Sequence, residues 1–318
     1  MSTVFIGTSE FAAAVLERLA RSGVHRPALA ITRPDRPSGR GRKLTSPPVA
    51  VSARALEIPL EQPQNVNDAE SRALISRALD MGTTAESAAS GPGGRSPGTV
   101  VVCAFGALIK EPLLSEHELL NVHPSLLPRW RGAAPVERAI MAGDEQTGVS
   151  IMRLTAGLDS GPVCLLGVEP IRADDSYGSL AARLQELGGE LLVRALDESP
   201  PFVEQPDDGV TYAEKLGPED RLLDPARPAI ELERVVRALH PHIGARVALA
   251  DGSLLGVHRA ALLGAEEPGD GSGPLERDGR LLLDCTPGVL ELLVVQPPGG
   301  RAMDAGAYLR GRGLPASG

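Results

Sequence analysis

Asn121 and His123 stand two residues apart in NVHPSLLPRWRG, the stretch Asn121–Gly132, which also holds Pro124, Pro128, Arg129, Arg131 and the chain's one tryptophan, Trp130. If Leu120–His123 is a strand, positions i and i+2 project to the same face. An amide and an imidazole then lie side by side at a strand end, while Leu120 and Val122 face the packing. Pro124 confines His123 to an extended conformation. An asparagine amide can donate to a developing oxyanion, a contact worth about 2.7–4 kcal/mol for one well-placed donor. An imidazole can take or give a proton near neutral pH. Downstream, LTAGLDSGPV sets Asp159 between glycines, where a carboxylate could hold one ring nitrogen and complement its charge. No serine or cysteine is placed as a nucleophile, so acyl transfer through this set would be direct. On residue types alone the set stays open: a lone Asn-x-His is more often a capped turn, and Asp159-Ser160-Gly161-Pro162 has the composition of a β-turn.

Such residues need a sheet to present them. The chain opens with the apolar run Val4–Ile6 and a break at Gly7. Thr8 or Ser9 can then cap a helix through Phe11, Val15, Leu16 and Leu19, followed by the apolar run Ala28–Thr32. This β-α-β order builds parallel sheets. The turn Gly7-Thr8-Ser9-Glu10 lacks the G-x-G-x-x-G fingerprint, so the architecture is Rossmann-like without indicating a dinucleotide. Thr99–Phe105, TVVVCAF, is apolar on both faces, as a central parallel strand is. In open α/β sheets ligands bind beyond the strand C-termini, where Asn121 and His123 fall. Periodicity predicts helices over Val51–Leu56, Ala69–Leu79, Pro112–Leu119, Ala134–Ala142 and Tyr177–Leu196, and strands over Gly148–Leu154 and Val163–Pro170.

Ser199–Gly209, SPPFVEQPDDG, has three prolines and little periodicity and reads as a linker. Beyond it, a helix at Ala229–Leu239 precedes short strands at Ala245–Ala250, Leu254–Leu262, Arg280–Cys285 and Val289–Val295, with a hairpin turn at Ala250–Ser253. The expected fold class is α/β. A Rossmann-like, mostly parallel sheet domain spans residues 1–198, a linker 199–209, and a small β-barrel or sandwich 210–318.

The 318 residues carry a net charge of −9. Nucleic-acid binders are often basic overall, so any RNA contact here needs a local basic patch. One exists in the loop RPDRPSGRGRKLTSPPV, Arg33–Val49, which has four prolines and two glycines. It sets Arg33, Arg36, Arg40, Arg42 and Lys43 against a single acid, Asp35. Most charge runs are solvated turns, but five cations within eleven residues of an acidic chain favour an anion-binding surface. Met81–Gly98 is small, polar and glycine-rich and reads as a surface insertion. Cys103, Cys164 and Cys285 form no C-x-x-C pair, which argues for reduced thiols over a disulfide framework or a cysteine zinc site. MSTVFIGTSEF has no basic segment followed by an apolar one, so no signal peptide is expected. The longest apolar run, Val100–Ile109, falls short of the ~20 residues of a membrane span. A cytoplasmic protein with no membrane association is expected.

The segment NVHPSLLPRWRGAAPVERAIMAGDEQTGVSIMRLTAGLDSGPV, Asn121–Val163, closely resembles the core of the 10-formyltetrahydrofolate-dependent formyltransferases. The resemblance extends to FIGTSEFA, PDRPSGRGRKL, VVCAFGALI, TYAEKL and QPPGGRAM, in order along nearly the whole chain. The basic loop and TYAEKL narrow it to the members that act on methionyl-tRNA. It implies that Asn121, His123 and Asp159 are catalytic. Ser125, Leu126, Leu127 and Pro128 would bind folate, and Phe105, Gly106, Ala107 and Leu108 would line the pterin pocket. Arg36, Arg40, Arg42 and Lys43 would meet the tRNA acceptor arm. The C-terminal domain would be an OB-like barrel adding RNA contacts. The reaction expected is transfer of the formyl group of 10-formyltetrahydrofolate, a co-substrate, to the α-amino group of initiator methionyl-tRNA, with no metal, by a monomer. Two departures stand out: Pro124 where many tRNA enzymes carry Gly, and the length of Met81–Gly98.

Three other functions compete. A formyltransferase for a small amine, such as an amino-sugar nucleotide or glycinamide ribonucleotide, would have little use for the basic loop and the second domain. A Rossmann oxidoreductase would need the missing glycine fingerprint. A non-catalytic tRNA-binding protein would not need Asn121, His123 and Asp159 together.

Overall fold

A computed structural model of the chain describes residues 2–38, 43–81, 98–264, 269 and 271–314. Their contacts fall into two compact units. One comprises Met1–Ala133, Thr147–Glu169 and Ala182–Tyr212; the other comprises Ala134–Gln146, Pro170–Ala181 and Ala213–Gly318.

The first unit is built on a seven-stranded sheet. β1 (Thr3–Gly7) is buried throughout, and Ser9 caps α1 (Glu10–Arg21) by accepting from the Ala12 N–H at 3.2 Å. Phe11, Val15, Leu16 and Leu19 form the buried face of α1. β2 (Leu29–Ile31) then lies parallel to β1. The basic loop departs from the expected irregular segment. It contains β3 (Arg36–Ser38) and β4 (Lys43–Thr45), paired antiparallel with Pro37 opposite Leu44. A two-stranded ladder consists only of edges, so a proline without an N–H is tolerated in it. The next helix, α2 (Pro48–Ala55), starts three residues before its expected onset because Pro48 occupies the first turn, where its missing N–H has no intrahelical partner to lose.

β5 (Leu60–Glu61), α3 (Ala69–Met81), β6 (Thr99–Cys103) and α4 (Leu113–Glu116) follow. The helix expected to reach Leu119 stops at Glu116. Glu118–His123 is instead β7, whose Leu119 and Leu120 register against Val100 and Val101 of β6. Pairing with a buried strand outweighs the helical spacing of Leu113, Leu114 and Leu119. After β8 (Arg131–Gly132) and α5 (Pro135–Ala142), β9 (Gln146–Arg153) and β10 (Val163–Pro170) complete the sheet in the order β10-β9-β7-β6-β1-β2-β5. The pairs β1–β2, β1–β6, β2–β5 and β6–β7 are parallel, and β7–β9 is antiparallel. The sheet is therefore mostly parallel, as expected. Val4, Ile6, Ile31, Ile75, Val100 and Leu113 are among the residues of its core that are fully buried. Each such side chain stabilises the unit by roughly 1.5–3 kcal/mol.

α6 (Tyr177–Glu198) precedes β11 (Tyr212–Ala213). The second unit contains α7 (Ala229–Leu239), packed on an antiparallel sheet of β12 (Ala245–Ala248), β13 (Leu254–Gly264), β14 (Gly273–Arg277), β15 (Arg280–Asp284) and β16 (Val289–Gln296). Their order is β12-β13-β16-β15-β14, with β17 (Met303–Asp304) on β16. The sheet curls into a half-barrel, in keeping with the OB-like expectation. β14 is held by its antiparallel ladder to β15. α8 (Ala305–Arg312) contains two glycines, and its start is fixed by the Asp304 carboxylate accepting from the Ala307 N–H at 3.1 Å. Among the described residues no helix is long and apolar enough to cross a membrane.

Candidate active site

β7 lies between β6 and β9, so both of its edges are paired, and Asn121 and His123 are buried at its C-terminal end. Their i, i+2 spacing puts them on one face. The imidazole is held first by backbone: His123 Nε2 lies 2.9 Å from the Trp130 carbonyl oxygen. A carbonyl can only accept, so Nε2 carries a hydrogen and Nδ1 is turned to the other side. There Asp159 Oδ2 lies 3.8 Å away. That distance is too long for a hydrogen bond and within reach of an ion pair with a protonated ring. The two ring nitrogens are thus divided between the Trp130 carbonyl at Nε2 and the expected carboxylate, Asp159, which faces Nδ1.

The Asp159 carboxylate is shared. Oδ1 lies 3.5 Å from Asn121 Nδ2, and Oδ2 accepts the Gly132 N–H at 2.9 Å. Asp159 and Trp130 both have left-handed backbones, φ +43° and +67°. Ala104, just after β6, does too at φ +41°. Non-glycine residues in that region cost roughly 1–3 kcal/mol each and gather where function over-determines the backbone. Asn121, His123 and Asp159 thus surround one small volume with an amide, an imidazole and a carboxylate. That set can stabilise an oxyanion and move a proton.

The SLLP segment is a tight turn directly after His123. The Ser125 hydroxyl donates to the Arg129 carbonyl at 2.7 Å, and the Leu127–Pro128 bond is cis. Buried Ser150, opposite His123 on β9, accepts the Leu127 N–H at 3.1 Å and donates to the Ser125 carbonyl at 2.6 Å. Nothing in the one-dimensional pattern marks Ser150, because its role depends on the β7–β9 register. Leu127 is buried, whereas Leu126 and Pro128 are partly open.

Of the four residues expected to line a pterin pocket, Phe105 turns its side chain into the sheet core, while Gly106, Ala107 and Leu108 are exposed. Phe105 is an extension of the apolar strand and packs as one. The carbonyls of this turn are held by Thr8 at Phe105 (2.8 Å), Arg33 at Gly106 (2.8 Å) and Asn67 at Leu108 (2.9 Å). Arg33 is thereby used structurally.

In the basic loop, Arg36 and Lys43 are exposed, and Arg40 and Arg42 lie outside the described residues, as does most of Met81–Gly98. The loop's single acid is turned to its base. The Gln62 amide and the Ser46 hydroxyl donate to Asp35 at 2.8 and 2.9 Å and hold its carboxyl below the usual carboxylate range. Residue types could not foretell that Asp35 is occupied in this way.

Residues 1–196 match the family described as formyl transferase, and residues 215–313 match the formyl transferase C-terminal domain. The chain is similar to methionyl-tRNA formyltransferase of Halorhodospira halophila, at 41% identity over 98% of this chain and 96% of that protein. Among solved structures, methionyl-tRNA formyltransferase from Clostridium thermocellum matches with a TM-score of 0.58 at 12% identity, covering 92% of this chain and 98% of that one. HypX from Aquifex aeolicus, solved in complex with tetrahydrofolic acid, matches with a TM-score of 0.58 at 15% identity, over 96% of this chain but only 46% of HypX. Both structures are alike in fold. Two family matches that together span most of the sequence, and a relative at this identity over almost its whole length, make the chain a member of the formyl transferase family.

Proposed function

We propose that the chain transfers the formyl group of 10-formyltetrahydrofolate to the α-amino group of methionyl initiator tRNA, giving N-formylmethionyl-tRNA for translation initiation. The observation that carries this reading is the convergence of Asn121, His123 and Asp159 at the end of β7 in a chain whose full-length relative is a methionyl-tRNA formyltransferase. The folate co-substrate is supported by family membership and by the tetrahydrofolic acid bound in HypX.

In this mechanism the neutral amine, whose free pKa is about 7.7–8, attacks the formyl carbon. A new C–N bond forms, and the carbonyl π pair moves to oxygen. Asn121 Nδ2 and His123, with a proton on Nδ1, stabilise that oxyanion. Asp159 complements the charge on the ring. Collapse re-forms the carbonyl and breaks the bond to N10, while the proton lost by the attacking amine passes to N10 through His123, Asp159 or water. Positioning of the two substrates supplies much of the acceleration.

The division of labour we assign is catalytic residues 1–198, linker 199–209, and tRNA-contacting residues 210–318. Ser125–Pro128 and the Phe105–Leu108 turn receive the folate. Arg36, Arg40, Arg42 and Lys43 receive the acceptor arm, and the enzyme acts as a cytoplasmic monomer. The test is formyl transfer from labelled 10-formyltetrahydrofolate to an acceptor panel of charged initiator tRNA, glycinamide ribonucleotide and an amino-sugar nucleotide. Preference for a small amine would overturn the tRNA assignment. Neutralising Arg40 and Arg42 should raise KM for the tRNA and leave folate binding unchanged; an unchanged tRNA KM and kcat would remove that role from the loop.

A further inference from the structure

The stretch Trp130-Arg131-Gly132 is occupied residue by residue. The Trp130 carbonyl takes the His123 ring N–H, and the Gly132 N–H goes to the Asp159 carboxylate. Between them, the Arg131 guanidinium donates from Nε and Nη2 to Gln205 Oε1, at 3.0 and 2.8 Å. Gln205 lies in the segment Ser199–Gly209, whose composition suggests only a spacer. Its other end is also committed: Nε2 donates to the Asp159 carbonyl and to the Gly161 carbonyl, each at 2.8 Å. The amide orientation follows from chemistry, because a guanidinium has no acceptor and a carbonyl has no hydrogen. The segment is itself docked beside this site. Val203 exchanges N–H···O bonds with Val163 at 2.8 and 2.9 Å, and Phe202 stacks under the Arg153 guanidinium at 4.1 Å.

We infer that Gln205, oriented by Arg131, is a positioning residue for Asp159. One amide bonding two carbonyls two residues apart closes the Asp159–Gly161 turn. That closure holds Asp159 in its left-handed backbone, φ +43°, with the carboxylate directed at Asn121 and His123. Removing the amide lets that backbone relax toward a more ordinary conformation, which swings the carboxylate away from the imidazole. A displacement of about 1 Å at a reacting group can cost on the order of 100-fold in rate. The inference rests on the proposed part played by Asp159, and its test separates the two.

Gln205→Ala, Gln205→Glu and Asp159→Asn are compared with the parent in steady-state formyl transfer, with thermal melting alongside. Gln205→Ala should lose on the order of 10- to 100-fold in kcat, with KM for folate and tRNA unchanged. Gln205→Glu keeps the partner of Arg131 but cannot donate when ionised, so at neutral pH it should fall with Gln205→Ala. As pH is lowered, its activity relative to Gln205→Ala should rise, because a protonated carboxyl regains one donor. If Gln205→Ala does not fold, the pH-dependent loss in Gln205→Glu against the parent carries the test. Parent-like kcat in the Gln205 variants with an inactive Asp159→Asn overturns the inference alone, and so does a lowered melting temperature with kcat intact. Parent-like turnover in Asp159→Asn overturns the role of Asp159, and the inference with it.

Discussion

The His123 imidazole donates from Nε2 to the carbonyl oxygen of Trp130, seven residues along the chain, at 2.9 Å. This contact fixes which nitrogen faces the site. With Nε2–H committed to a carbonyl, Nδ1 is the nitrogen on the side of Asp159 Oδ2. The neutral ring should therefore be the Nε2–H tautomer. Long-range 15N–1H correlation of the imidazole at high pH should show a protonated Nε2 and a pyridine-type Nδ1 for His123. The opposite assignment would put the reactive nitrogen on the wrong side of the ring.

Asn121 contributes one amide donor from a buried strand end. Removal of a single oxyanion donor costs about 10²–10³ in kcat. Asn121→Ala should lose that much with the circular dichroism of the parent, since the side chain contributes little to the core. A loss confined to KM would assign Asn121 to substrate binding.

Much of this arrangement is legible in the sequence, for definite reasons. Val100–Cys103 of β6 are unbroken apolar residues, and α7 has one clean stripe, so their positions follow from the apolar pattern. Asn121 and His123 are readable because a two-residue spacing on a strand has only one geometric meaning. Trp130 and Gly132 are not readable, since they act through a carbonyl and an N–H that every residue has. Gln205 and Ser150 act across 46 and 25 residues of sequence, through contacts that exist only once the sheet and its flanking segments are assembled. Phe105 packs in the sheet core as the continuation of an apolar strand, a placement its sequence shows; its expected place beside the folate came from the family resemblance.

Ser150 should govern the SLLP turn. Ser150→Ala strands the buried Leu127 N–H, which costs about 1–3 kcal/mol. The variant should unfold at lower denaturant and show a raised KM for folate with kcat retained, and Ser150→Thr, which keeps a hydroxyl, should restore both. A variant with parent stability and parent KM would free the turn from Ser150.

Asp220 predicts an acid-dependent stability of the second unit. Burial pushes its carboxyl up. The Arg138 guanidinium, at 2.7 and 3.2 Å, and the Gly217 N–H at 2.8 Å outweigh that and hold it below the ordinary value. A depressed carboxyl contributes stability fully above its unfolded pKa of about 3.9, and the contribution fades as pH falls through the folded value. The stability gap between the parent and Asp220→Asn should therefore be widest near neutrality and shrink below about pH 4. Denaturant unfolding at a series of pH values reads this directly, and a gap that does not change with pH would deny the ion pair its role.

The proposed formyl transfer to methionyl-tRNA depends on His123 and Asp159. Its most direct test is single-turnover transfer of labelled formyl from 10-formyltetrahydrofolate to charged initiator tRNA, by the parent, His123→Ala and Asp159→Asn at saturating enzyme. The parent should formylate rapidly and each variant should be slower by about 10²–10⁴, with both variants folded and still binding folate. Formylation by either variant at the parent's rate, or none by the parent, would contradict it.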